Sequence, residues 1–458
     1  MSTTAVDTLR SQVSGTVVAP GDADYEAARK VYNGMIDKRP AAVVRCNGSA
    51  DVAAVVRLAR AEGLDLSVRG GGHSAPGFGT NDGGLVIDLS PLQDVVVSPD
   101  AQTAIAGGGC TWSTFNDATY AAGLATTGGI IGSTGIAGLT LGGGIGYLAR
   151  QYGLSCDNLL RAEVVTADGE VLTASERDHR DLFWALRGGG GNFGVVTQFE
   201  YQLHPVADIY GGPIAYPADR ADDVLRFYRD YIAEAPESFG GFVGFHLAPP
   251  LPFLPDEWHF KNICLGVTCW TGPMDQGEKM VQPFLDVVEP VGSMVGPMPY
   301  PALNTAFDPL LPAGLQGYWK ASFARGLSDD AIAVHADYGA RVPSIQTAVH
   351  LYPINGAVQR VADDATAFAY RDVDFAPVIA GMWDNPADND ANIEWVRGYY
   401  DALRPYSVDG GYINFMDSDD QSRIKANYRG NFDRLGAIKA EYDPTNLFHL
   451  NQNIQPRP

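Results

Sequence analysis

From Ala19 to Pro205 the chain alternates apolar runs of strand length with stretches of helical spacing. Residues 49–63 carry apolar side chains at helical intervals behind a polar start, and the run ends on a glycine, which predicts a helix. Leu66-Ser-Val-Arg69 then reads as a short buried strand that runs straight into three glycines. A second strand, residues 84–89, follows the turn signal Asn81-Asp82-Gly83. Residues 160–166 and 171–173 flank Ala167-Asp168-Gly169 and predict a hairpin.

Between Ala207 and Arg404 the pattern changes. Strand-like runs over 241–247, 263–270 and 346–352 alternate with helix-like runs such as 221–235, and aromatic residues and prolines become more frequent. This pattern predicts an α+β arrangement, an antiparallel sheet with helices on one side. The proline-rich segment 248–255 reads as a connector. The final residues return to polar helix and turn signals and end in Tyr442-Asp-Pro-Thr-Asn-Leu-Phe-His449. The division expected is 1–205, 206–405 and 406–458, and the drop in glycine density marks the first boundary.

Composition narrows the partners. A formal charge of -22 over 458 residues would repel a phosphate backbone or an anionic membrane rather than bind it. No apolar run reaches membrane-spanning length, and residues 1–15 lack the apolar centre of a secretory signal. Five cysteines form an odd set without a CxxC pair, so buried thiols in a reducing cytoplasm are expected, with no zinc site and no disulfide framework.

The 53 glycines add the chemistry. Many crowd into three clusters: Gly70-Gly-Gly72, the set running from Gly128 through Gly146, and Gly188-Gly-Gly-Gly-Asn-Phe-Gly194. Consecutive glycines admit positive φ and bare backbone N–H groups, which suits a diphosphate. Neither the GxGxxG fingerprint with its helix nor a Gly-Lys-Ser/Thr loop is present. Three separated clusters point to an elongated ligand such as a dinucleotide. His73, directly after the first cluster, is placed to attack an electrophilic carbon of such a ligand, because a neutral imidazole is a competent nucleophile.

Several segments together resemble the berberine-bridge-enzyme-like branch of the vanillyl-alcohol-oxidase (PCMH-type) superfamily of FAD-linked oxidases. They are Arg69-Gly-Gly-Gly-His73, Asn81-Asp-Gly-Gly-Leu-Val-Ile-Asp88, Ala137-Gly-Leu-Thr-Leu-Gly-Gly-Gly-Ile-Gly146, Tyr152-Gly-Leu-Ser-Cys-Asp-Asn158, residues 181–196 and Tyr442-Asp-Pro-Thr-Asn446. The resemblance implies a bipartite PCMH-type FAD-binding domain made from both chain ends around an inserted substrate domain. It implies a covalent bond from His73 to the flavin 8α-methyl carbon, which raises the reduction potential of the flavin. Cofactor contacts carried over on matching positions are Arg69, Gly70, Gly71, Gly72 and Ser74 in the first loop. Thr134, Gly135, Gly138, Leu139, Gly142, Gly144 and Gly146 follow in the second, then Asp157 and Asn158. The third loop gives Gly191, Asn192, Gly194, Val195 and Val196, and the C-terminal return gives Asn451 and Asn453.

Two departures sharpen the expected function. Doubly linked relatives place a cysteine shortly before the equivalent of Gly135, whereas this chain has Gly129-Ile-Ile-Gly-Ser-Thr134, so a single histidyl link to FAD is expected. Such relatives also place a histidine where Leu139 stands. Sugar-oxidising relatives resemble Tyr-Ile-Asn-Tyr, with the last tyrosine as base, where this chain has Tyr412-Ile-Asn-Phe415. Tyr412 is expected on a strand face shared with Asn414, in a structural role. The catalytic candidates are then Tyr352, His350, Tyr370 and Asn414, with Asp384 a further substitute. The expected activity is an oxidase: hydride from an amine or an activated alcohol passes to FAD, and dioxygen returns hydrogen peroxide. A carbohydrate oxidase, a dehydrogenase with another acceptor and a flavin-holding protein without activity are the alternatives.

Overall fold

Three parallel strands carry the first glycine loop. Ala42–Arg45, Leu85–Asp88 and Leu66–Arg69 lie side by side in that order, and Thr16–Val18 pairs antiparallel with the outer edge. Their apolar side chains are almost wholly buried, as expected for parallel strands covered on both faces. The computed structural model describes residues 3–457. Helix Ser49–Glu62 crosses from the first of these strands to Leu66–Arg69 and stops where Gly63 takes φ +62°. The next crossover, residues 70–84, contains no helix. The Gly-Gly-Gly-His run therefore leaves the carboxyl end of its strand as bare loop.

A second sheet, antiparallel throughout, orders Val95–Ser98, Thr103–Gly107, Val195–Gln202, Leu159–Val165 and Val171–Ser175. The expected hairpin is its last pair. Chain ends meet here: helix Phe432–Tyr442 packs against helix Arg180–Leu186. Lys439 and Asp443, both fully buried, tie that helix down. The Lys439 ammonium donates to Asp443 and to the carbonyls of Asn192 and Phe448, and Asp443 accepts from the N–H groups of Leu447 and Phe448.

The middle of the chain forms an eight-stranded antiparallel sheet. Its path runs from Gly292–Ser293 through Asp208–Pro217, Asn262–Trp270, Phe239–Leu247, Ala348–Pro353 and Phe375–Trp383 to Gln316–Ala321, and Gly296–Pro299 also pairs with Asp208–Pro217. Helices Ala221–Glu234, Gly277–Asp286, Asp329–Gly339 and Asn389–Leu403 cover one face. The two-residue period of a strand sorts the side chains. Val349 and Leu351 pack under the helices, while Ala348 and Tyr352 join the core on the opposite face, toward the glycine loops. Cys264 and Cys269, an odd number of residues apart, fall on opposite faces, and all five cysteines are free and buried. The proline-rich connector packs Leu251, Phe253 and Leu254 against the glycine-loop side of the sheet.

One expected element differs. Ile413–Phe415 is a single 3-10 turn rather than a strand, closed by the Phe415 N–H donating to the Tyr412 carbonyl. Arg150, unremarked in the sequence, is 3% exposed and caps helix Ala221–Glu234 by donating to the carbonyls of Ile232, Ala235, Pro236 and Phe239. No helix of the described residues is long and apolar enough to cross a membrane.

Burial makes the fold acid-sensitive. His204 and His246 are held down to about 4 and His335 to about 3, and His350 lies well below its ordinary value, all by desolvation. The unfolded chain takes up protons at these residues near pH 6.5, where the folded chain cannot. Their contribution to stability is therefore complete above about pH 6.5 and falls towards pH 4, by up to about 1.4 kcal/mol per pH unit for each such proton. Melting temperatures recorded across that window fall steadily with acid if this is right; a flat profile refutes it.

Candidate active site

The three glycine clusters and the open face of the large sheet enclose one cleft of about 310 Å³. Residues 69–74 form one wall, and Thr134, Gly135, Gly138 and Leu139 form the facing one. Gly190 and Gly191 with Asn451 and Gln452 line the C-terminal side. The far end is built on the sheet and the 3-10 turn: Trp319, Ala348, His350, Tyr352, Val378, Ala380, Met382, Asn414 and Phe415.

The first two glycine loops touch backbone to backbone. A Cβ on Gly71 would sit 2.3 Å from the Gly135 nitrogen, and one on Gly135 would sit equally close to the Gly71 nitrogen. Side chains at either position would part the two walls, since packed backbone has no room to yield. Gly72, at φ +72°, then turns the chain so that His73 faces the second loop.

His73 is held on three sides. Its ring stacks on Tyr32 with centroids 3.9 Å apart, Nε2 lies 3.0 Å from the Ser133 hydroxyl, and Nδ1 lies 3.2 Å from the Thr134 hydroxyl. Burial pushes its pKa down to about 4, against a hydrogen bond to the Ser133 backbone that pulls the other way. The imidazole is therefore neutral, with a lone pair at one ring nitrogen. Sequence reasoning found the histidine but not its stacking partner Tyr32, which lies in a segment without a motif.

These walls fit an FAD. At Gly138 and Gly191 a Cβ would meet nothing within 4 Å, so both glycines leave open space on the cleft that side chains would fill. The Asn451 side-chain oxygen is buried without a partner at the same wall and can accept from a bound group. Residues 70–74, 134–139, 190–191 and 451 would hold the cofactor.

Other expected contacts stand behind the walls. Arg69 lines the cleft, but its guanidinium donates to Asp88 (2.8 Å) and the Lys30 carbonyl, across a register in which Arg69 and Asp88 are paired. Asp157 receives both arms of Arg371 at 2.7 Å, and Asn158 donates to the carbonyls of Tyr152 and Leu154 while accepting from His204. Neither lines the cleft. Asn192 is fully buried, donating to the carbonyls of Gly189 and Gln452 and accepting from the Ile454 N–H. Gly146 and Gly194 give close backbone passage, Val195 and Val196 pair with Val165 and Val164, and the Asn453 oxygen is buried without a partner. Asp157, Asn158 and Asn192 spend their polar groups on the loops themselves, whereas Arg69 lines the cleft and the Asn453 oxygen is left to accept a hydrogen bond.

The catalytic candidates separate as well. Tyr370 donates its hydroxyl to the Ala426 carbonyl and lies outside the cleft, and Asp384 is exposed beside Gln346. Asn414 lines the cleft, yet its amide donates to the Leu139 carbonyl and to the Tyr412 hydroxyl, and a Cβ on Gly142 would collide with it. The Tyr412 oxygen also accepts from the N–H groups of Gly144 and Ile145, each at 3.1 Å. Burial raises its pKa to about 12 and these three donors restrain the rise. Tyr412 thus pins the second glycine loop. Phe415 packs 5.5 Å from Trp319 and contributes only hydrocarbon. His350 and Tyr352 remain, in contact with each other and facing the cleft: His350 Nδ1 and the Tyr352 hydroxyl are 2.8 Å apart.

Known proteins place this arrangement. Residues 40–175 match the FAD binding domain model, and residues 411–455 match the berberine and berberine-like model. An uncharacterised FAD-linked oxidoreductase of Bacillus subtilis, YgaK, is 31% identical over 456 residues, 98% of either chain. The (R)-6-hydroxynicotine oxidase of Paenarthrobacter nicotinovorans is 29% identical over 464 residues, 97% of either chain. The solved structure of a xylooligosaccharide oxidase from Myceliophthora thermophila C1 superimposes with a TM-score of 0.87 at 24% identity, covering 99% of this chain and all of that one, a likeness of fold. With a PCMH-type fold, a glycine-walled cleft and this near-complete match, the chain belongs to the berberine-bridge-enzyme-like family of FAD-linked oxidoreductases.

Proposed function

We propose that the protein is an oxidase of uncharged, largely apolar amines or activated alcohols, with FAD held by one covalent bond from His73 and dioxygen as the final acceptor, giving hydrogen peroxide. The observation that carries this reading is the lining of the sheet end of the cleft. Trp319, Val378, Met382 and Phe415 are apolar, no carboxylate or ammonium group stands among them, and Asn414 is committed to backbone and Tyr412. A sugar would leave most of its hydroxyls unpaired against this surface, at about 1–3 kcal/mol for each group so buried. A flat apolar molecule covers Trp319 and Phe415 at no such cost.

FAD, when bound, supplies the hydride acceptor. The chain's own residues position the substrate between the aromatic walls, exclude water and present the Tyr352 hydroxyl at the sheet end of the cleft. A neutral amine releases hydride with little help, because its lone pair stabilises the developing cation. An alcohol needs its proton removed, and the Tyr352–His350 pair supports that step. No cysteine lines the cleft, which supports a single link, and five free buried thiols support a reducing cytoplasmic setting.

A substrate screen read out as peroxide and oxygen uptake tests the proposal. Aromatic alcohols and neutral cyclic amines turn over with equimolar peroxide, and simple oligosaccharides do not. Strong oligosaccharide turnover overturns the substrate class, and a reduced enzyme that survives minutes in air overturns the oxidase.

A further inference from the structure

Behind Tyr352 the polar contacts continue. His350 Nε2 lies 2.9 Å from Nε2 of His246, on the neighbouring strand Phe239–Leu247, where Gly244 pairs with His350. Gly244 makes room: a Cβ there would sit 3.0 Å from the His350 ring. Phe242 lies against His350 with centroids 4.1 Å apart, and Phe307 stacks on His246 at 5.6 Å. His246 and His350 are each 4% exposed and Tyr352 is 7% exposed, so three ring polar groups are threaded through an apolar core. Such a chain is costly to bury unless each contact is satisfied. No carboxylate acts on it: the electrostatic neighbours are His246 on His350 and Tyr412 on Tyr352, with Tyr147 beside Tyr352.

We propose that Tyr352, His350 and His246 form a proton relay that accepts the substrate's hydroxyl or amine proton, with His246, a positioning residue outside the cleft, as its terminus. This rests on the reading of Tyr352 as the hydroxyl that meets the substrate. Two consecutive contacts of hydrogen-bond length fix one workable arrangement. The Tyr352 O–H donates to His350 Nδ1, and the His350 Nε2–H donates to His246 Nε2. As the substrate gives its proton to the Tyr352 oxygen, the tyrosine proton passes to His350 Nδ1 and the His350 Nε2 proton passes to His246. Tyr352 and His350 end neutral, His246 ends as imidazolium, and the two electrons leave the substrate as hydride to the flavin, which dioxygen reoxidises. The depressed pKa values keep both histidines neutral before turnover, so the charge on His246 is transient and its proton returns along the same chain.

Two measurements test it. The first is nitrogen-15 NMR of histidine-labelled holoenzyme without substrate. His350 carries its proton on Nε2 and His246 leaves Nε2 free; a proton on His350 Nδ1, donated to the tyrosine oxygen, overturns the relay. The second compares His246→Gln and His246→Phe on an alcohol substrate found by the peroxide screen. Gln can accept from His350 but cannot carry its proton. Both variants are expected to lose 10-fold or more in kcat with KM little changed, and the curved solvent-isotope proton inventory of the wild type becomes linear. Wild-type kcat and inventory in His246→Gln restrict His246 to packing and overturn the proposal. The NMR measurement needs no substrate, so failure of the relay is separable from failure of the substrate reading.

Discussion

Denatured wild-type protein stays yellow, and denatured His73→Ala releases all of its flavin. The expectation follows from the surroundings of the imidazole. Stacked on Tyr32 and bracketed by the Ser133 and Thr134 hydroxyls, His73 keeps one orientation at the cleft wall. With its pKa down at about 4 it is a free nucleophile at neutral pH. Cys110 and Cys156 are the cysteines closest in sequence to the second glycine loop, yet both are buried off the cleft, and burial pushes the Cys110 thiol up to about 11. Neither offers a thiolate. In-gel flavin fluorescence reads the result directly: the wild type fluoresces after denaturation and His73→Ala is dark. Fluorescence retained by the variant would mean a second attachment and would overturn the single link. Because the walls at Gly138 and Gly191 do not depend on His73, the variant is expected to bind FAD reversibly before denaturation.

What the sequence made legible follows from the range over which each feature is encoded. Local signals were enough for the helix at Ser49–Glu62, the strand Leu66–Arg69 and the hairpin ending in Val171–Ser175, because periodicity and glycine placement act within a few residues. The antiparallel sheet of the middle segment was also readable and supplies His350 and Tyr352 as candidates; the structure puts the two together on the face toward the glycine loops. Long-range pairing was not readable. Nothing near Tyr32 signals that it will stack on His73, and nothing in Phe239–Leu247 signals that His246 will meet His350. The 412–415 segment misled for a related reason. An apolar-polar alternation reads as strand, but the Tyr412 hydroxyl is drawn to the N–H groups of Gly144 and Ile145 from far along the chain, and the segment closes into a turn. Motif transfer likewise names residues without separating those that line the cleft from those that build the loop, as Asn192, bonded to the Gly189 and Gln452 carbonyls, illustrates.

Asp157 makes that distinction testable with a large expected effect. Its motif carries it into the cofactor set, whereas its carboxylate lies 2.7 Å from both terminal nitrogens of Arg371, in a pair whose side chains are 8% and 3% exposed. Asp157 also accepts from the Leu154 N–H, and Arg371 donates further to Thr366. The pair joins the loop after the second glycine cluster to the segment following the Ala348–Pro353 strand of the eight-stranded sheet. Removing the carboxylate leaves a guanidinium buried and unneutralised, which costs about 3–5 kcal/mol. Asp157→Ala is therefore expected to lower the denaturation midpoint sharply, while the fraction that folds keeps its flavin-to-protein ratio. Replacing both partners with apolar residues, Asp157→Leu with Arg371→Met, recovers much of the loss, because no charge is then stranded. Equilibrium unfolding and the flavin-to-protein ratio of the folded fraction check the two halves. A variant with an unchanged midpoint and depleted flavin would return Asp157 to the cofactor site, and the ion pair would then be incidental to the fold.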